Sequence, residues 1–277
     1  MSVLAFAQEA ASDAAAAPPS GWFNEDLWFS AFVIGLVGVA LYAFIARIKK
    51  DPSKVYIRKI AGVDAIEEAV GRSTEMGRPV LYVTGVEETQ NIQTVASLLI
   101  LGHVAEMIAD YDTDIKVANA YPLTMVLAEE IVRQGYNNVG RSDAHRPENV
   151  MFLTPDQFAF AAAVNGIILR DRPATNIFLG RFFAESLMLA ETGYVTKSIQ
   201  IGGTAEITQL PFFVAACDYA ILGEELFAVS AYLSREPNLL GMLKATDLAK
   251  GLVILLILAG AFGATFHLYD LGGWLVP

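Results

Sequence analysis

The chain has 277 residues, 54% of them apolar and only 18% charged, with a mean hydropathy of +0.43. A soluble domain of this size holds less apolar surface, so part of the chain is expected in a membrane. Nineteen Lys and Arg against 30 Asp and Glu leave a net charge of −11, which excludes nucleic-acid binding through a basic face. A single cysteine, Cys217, excludes an intrachain disulfide framework and a thiolate metal cluster.

Residues 1–26 form an expected extracytoplasmic tail. Ala5-Phe6-Ala7 has the small-x-small form of a signal cleavage site, yet the stretch before it is too short for a signal's apolar region. Two readings stand: an Ala/Pro-rich disordered leader, or the remnant of a signal peptide that starts upstream. Residues 8–21, QEAASDAAAAPPSG, read as a low-complexity linker in both. Residues 27–48 carry no charge before Arg47 and match the roughly 20 residues needed to cross about 30 Å of hydrocarbon.

Residues 49–250 alternate short β-branched runs with helical stretches, which predicts an α/β fold with a doubly wound, mostly parallel sheet. Strands are expected at 55–60, 80–84, 115–119, 150–154, 176–179, 198–202 and 219–222. A second apolar run from Gly251 to Phe266 continues through His267 and Tyr269, so residues 251–271 read as a second span and 272–277 as an outer tail. All 19 basic residues lie between Arg47 and Lys250, and the positive-inside rule then places the middle domain in the cytoplasm and both termini outside an inner (plasma) membrane. Trp22, Phe23, Trp28, Tyr269 and Trp274 would form an aromatic belt on the outer side.

The cytoplasmic segment repeats itself. Tyr82-Val-Thr-Gly85 aligns with Ile177-Phe-Leu-Gly180, Ile115–Asn119 with 199–203, and the run from Met151 with that from Ala220, Phe158 and Ala159 matching Phe227 and Ala228. The falling offsets put extra residues in the first half, in its first helix and around 135–148 (QGYNNVGRSDAHRPE). Two βαβαβα units are expected from this.

Ligands of open α/β sheets sit beyond the carboxyl ends of the strands. The weak ligand-binding candidates there are Gly85, Gly202, Gly203, Thr204 and Glu224, with Gly202-Gly203-Thr204 as the phosphate-cradle candidate. No complete phosphate-loop motif accompanies them. Helix starts carry Glu87, Glu88, Asp156, Glu206, Glu224 and Glu225, which complement helix dipoles and would favour a cation over a nucleotide. No nucleophile–base pair stands out: Cys217 reads as an inert core thiol, His103 as a core histidine, and His145 as a loop residue beside Asp143 and Glu148. No catalytic residue, metal site or cofactor is expected.

The stretches 202–214 (GGTAEITQLPFFV), 217–237 (CDYAILGEELFAVSAYLSREP) and 78–85 (RPVLYVTG) resemble a family of prokaryotic membrane proteins known only as a domain of unknown function. The resemblance implies a membrane-anchored α/β domain and carries no activity. The expected function is a non-catalytic scaffold or accessory subunit; the alternative is an enzyme or sensor binding a nucleotide or cation at the Gly85 and Gly202–Thr204 edge. The expected partners are the lipid bilayer and a homo-oligomer or larger membrane complex. Leu98, Leu99, Ile100 and Leu101 cover all sides of helix 92–108, and small-xxx-small pairs Ala31/Gly35 and Ala259/Gly263 permit close helix packing.

Overall fold

In the computed structural model, residues 61–234 and 237–265 and ten positions between 31 and 46 are described. The chain divides into two units, residues 51–243 and residues 1–50 with 244–277. In the larger unit α1 (Ala61–Met76) leads to β1 (Val80–Val83), α2 (Ile92–Asp110), β2 (Ile115–Asn119), α3 (Pro122–Asn138), two 3-10 turns (Ser142–Ala144, Pro147–Asn149), β3 (Val150–Phe152) and α4 (Gln157–Asp171). β4 (Thr175–Leu179), α5 (Glu185–Val195), β5 (Ile199–Thr204), α6 (Leu210–Ala216), β6 (Tyr219–Leu222) and α7 (Glu225–Ser234) follow.

All six strands pair in parallel, in the order β3-β2-β1-β4-β5-β6. The expected doubly wound sheet is present, with strand limits one or two residues from the sequence reading. The expected strand at 55–60 lies outside the described residues. Strand order and chain order together give two successive βαβαβα stretches that run outward from the central pair β1 and β4.

A parallel sheet covered on both faces needs strands that are apolar on both sides, which is why Val80–Val83 is buried at every position. Val80, Tyr82, Ile177 and Leu179 pack with α1, α2, α3 and α7. Leu81, Val83 and Phe178 pack with α4, α5 and α6 on the other face. Tyr82 is fully buried, so its hydroxyl needs a partner; it donates to the Ser97 carbonyl oxygen at 2.6 Å. Side chains of Asn91 and Asp156 accept from Gln93 and Ala159 backbone N–H groups and start α2 and α4, as capping residues do.

The partners that helix 92–108 needs on more than one face are found within the chain. Leu98, Ile100, Leu101, Val104, Ala105 and Ile108 of α2 are buried within the chain. A helix lying on a sheet between two others can hide three of its sides, and α2 sits among the sheet, α3 and α7.

Two described helices are long and apolar enough to cross a membrane, α2 and the stretch Leu239–Phe262 of α8 (Pro237–Thr265). α2 is mostly buried in the core, whereas the most apolar window of α8 has no buried residue. The helix that carries the start of the expected second span begins earlier in the chain, at Pro237. Leu239, Leu240, Met242 and Leu243 continue the apolar run, and Lys244 and Asp247 pair one turn apart at 3.9 Å. The described positions of 31–46 are helical, with Phe32, Ile34, Val39 and Tyr42 exposed.

Candidate functional site

The crevice of an open α/β sheet lies where adjacent strands send their helices to opposite faces. Here that point falls between β1 and β4, followed by α2 on one face and α5 on the other. The two loops close on each other. The Val86 N–H donates to the Arg181 carbonyl oxygen at 3.0 Å, and a Cβ on Gly85 would stand 2.7 Å from that same oxygen. Gly85 thus allows a close backbone crossing.

Above the crossing sits Arg181, one-third exposed. Its Nη1 lies 3.6 Å from Glu87 Oε1 and its Nε 3.4 Å from Glu206 Oε2, while Cζ lies 4.9 Å from the centroid of the Phe183 ring. Two of the acidic residues read as helix-dipole partners, Glu87 and Glu206, therefore share a cation from the chain itself. Sequence reasoning passed over Arg181; the signal available was a single basic residue among acidic strand-end loops.

Gly202 and Gly203 lie inside β5, not in a loop. A Cβ on Gly202 would stand 2.5 Å from the Phe213 ring, and one on Gly203 2.6 Å from Leu179 Cδ2. Both glycines serve close packing of side chains over the strand. Thr204 is fully buried, with its hydroxyl donating to Gln93 Oε1 at 3.1 Å and accepting from the Glu206 N–H at 3.2 Å. Ala205 N–H donates to the same Gln93 oxygen at 2.8 Å. Gln93 thus ties the start of α2 to the end of β5. Glu224 stands apart from these residues, after Gly223 beyond edge strand β6.

Other polar groups are placed by the fold as well. Glu185, buried at the start of α5, accepts from the Phe183 N–H at 2.8 Å and from the Gln157 side chain, and it complements the positive end of the helix. Asn176 and Gln200 pair across β4 and β5 and meet under α5, where a Cβ on Gly193 would stand 2.1 Å from Gln200 Oε1. His103 is not a core residue: it is partly exposed on α2, with Nδ1 3.9 Å from Glu106 Oε2. Burial, with Asp218 beside it, pushes the Cys217 thiol up to about 12, which keeps it un-ionised and poorly nucleophilic at neutral pH. His267 lies outside the described residues. Among the described residues no group of three or more His, Cys, Asp or Glu could hold a metal ion.

A parallel sheet in this order with helices on both faces defines a Rossmann-like, doubly wound α/β protein. Residues 18–273 match the family described as "Domain of unknown function (DUF6754)", and the chain belongs to that family. No curated protein and no solved structure matches the chain.

Proposed function

We propose that the chain is a membrane-anchored, non-catalytic docking subunit whose α/β domain assembles with copies of itself or with a larger membrane complex. The observation that carries this reading is apolar surface near the β3 edge. Leu123, Val126 and Leu127 share one face of α3 at i, i+3, i+4 spacing, and with Phe152 of β3 and Phe158 of α4 all are exposed. Exposed apolar side chains lined up on one helix face, as on α3, mark protein–protein surfaces. The loops filling the crevice between β1 and β4 support the same reading, since the usual ligand position is taken by the chain itself.

Anchoring is proposed through residues 27–48 and 251–271 in an inner (plasma) membrane, with the domain cytoplasmic and both termini outside, on the strength of the one-sided Lys and Arg distribution. The paired βαβαβα stretches are proposed to be a duplication; α2 has 19 residues and its counterpart α5 has 11, in line with the longer first helix read from the sequence.

The test is the mass of the full chain in mild detergent, with the detergent contribution subtracted. A species well above 29.9 kDa is expected, and a lone species of that mass with no partner bound overturns the reading. A saturable rise in Tm with ATP, GTP or Mg2+, abolished by changing Thr204 or Glu224, would install the ligand-binding alternative at Gly85, Gly202, Gly203, Thr204 and Glu224 in its place.

A further inference from the structure

Strands β4 and β5 carry two amides where a parallel sheet covered on both faces calls for apolar side chains. Asn176 and Gln200 stand side by side in register, and both are buried, at 0% and 1% exposed. Asn176 Nδ2, Asn176 Oδ1 and Gln200 Oε1 have no hydrogen-bond partner among the described residues. Buried polar atoms are ordinarily paired, so three left open on two neighbouring side chains point to a group that the chain itself does not supply.

The surroundings decide which ends of the amides are open. Gln200 Nε2 donates to the Ala216 carbonyl oxygen at 2.9 Å, and turning that amide over would set oxygen against oxygen, so Oε1 is the open end. A Cβ on Gly193 would stand 2.1 Å from this Oε1 and 2.8 Å from Asn176 Nδ2. Both amides therefore reach the same point beneath α5, where the helix carries no side chain. A direct hydrogen bond from Asn176 Nδ2 to Gln200 Oε1 would pair two of the three atoms and still leave Asn176 Oδ1 open. Turning the Asn176 amide over leaves the same deficit, because it only exchanges its donor and acceptor ends.

We propose that Asn176 and Gln200 hold one buried water molecule. Its two O–H groups donate to Asn176 Oδ1 and Gln200 Oε1, and its oxygen accepts from the Asn176 Nδ2–H, which makes the three hydrogen bonds that buried waters ordinarily form. The open atoms decide the class of ligand. Two acceptor oxygens repel an anion, an N–H donor repels a metal cation, and the burial of both side chains leaves no way in for a larger molecule. The water joins β4 to β5 beneath α5. This site is separate from the docking surface and stands or falls independently of it.

Oxygen-17 magnetic relaxation dispersion on the full chain in detergent, with water itself as the probe, tests the proposal. Wild type is expected to hold one more long-lived internal water than Asn176→Leu. Exchange of that water is expected to quicken about tenfold in Gln200→Leu, which removes one of its hydrogen bonds. An unchanged far-UV circular dichroism spectrum verifies the fold of each variant. The wild type alone supplies a second readout, an expected nuclear Overhauser contact between water and the Asn176 side-chain NH2, and this contact decides if a variant fails to fold. Equal numbers of long-lived waters in wild type and Asn176→Leu, an unchanged exchange rate in Gln200→Leu, or no Overhauser contact would each overturn the proposal.

Discussion

Gly85 and Gly180 end the two central strands against each other: with φ of 87° and 137°, neither has room for a side chain, and a Cβ on Gly180 would lie 2.5 Å from the Thr84 carbonyl oxygen and 3.2 Å from Gly85 Cα. The two loops can cross only because both residues lack a Cβ. Gly180→Ala combines a disfavoured backbone angle with a collision against main-chain atoms and should cost about 3 kcal/mol. Gly223→Ala has only the angle problem, since φ is 58° and nothing stands nearby, and should cost about 1 kcal/mol. Denaturant unfolding of the two variants compares them; equal losses would show that the loops part easily.

Lys116 Nζ lies 2.7 Å from Asp171 Oδ2 and ties β2 to the last residue of α4. The Arg170 guanidinium first, and Lys116 with it, hold the Asp171 carboxyl below its ordinary 3.8. A carboxyl depressed in the folded state adds stability above its unfolded value and loses it as pH falls through the folded value. Lys116→Met should therefore lower stability by about 1 kcal/mol at pH 7, and the gap from wild type should close below pH 3.8. Thermal melts across that range check it, and a gap independent of pH would mean that Lys116 acts through packing alone.

Topology is open to thiol labelling. Cysteines introduced by Ser12→Cys and Val276→Cys should react with an impermeant reagent on intact cells, while Ser142→Cys, exposed on the domain surface, should react only after permeabilisation. The native Cys217 should stay silent, because burial keeps its thiol protonated. The reverse pattern would turn the proposed orientation over.

The docking surface predicts its own disruption. Val126→Glu and Phe158→Glu replace exposed apolar groups, so the fold should tolerate both. The pair should nevertheless shift the detergent-corrected mass towards 29.9 kDa with an unchanged circular dichroism spectrum. An unchanged assembly would place the contact elsewhere.

Much of the architecture was legible in residue order. Runs such as Val80–Val83 and Ile177–Leu179 are apolar on successive positions, as strands buried on both faces must be. Asp156 stands where a helix start needs an acceptor, and it does cap α4. These signals are local: each depends on residues within a turn or two of chain, so periodicity alone exposes them.

What the tertiary structure decided are the meanings of residues whose neighbours come from elsewhere in the chain. The sequence could mark Gly202 and Gly203 as glycines after an apolar run, but only the approach of Phe213, Leu179 and Ile221 shows that the missing side chains make space for packing. It could show that α2 is apolar on every side, but not that α3, α7 and the sheet would cover it. Arg181 gains its role because Glu87 and Glu206, 119 residues apart in the chain, are brought to either side of it by strand order. Composition and local pattern determine which elements form, because hydrogen bonding and helical or strand periods act over a few residues. Packing across β1 and β4 determines what those elements can touch, because that depends on a chain folded back on itself.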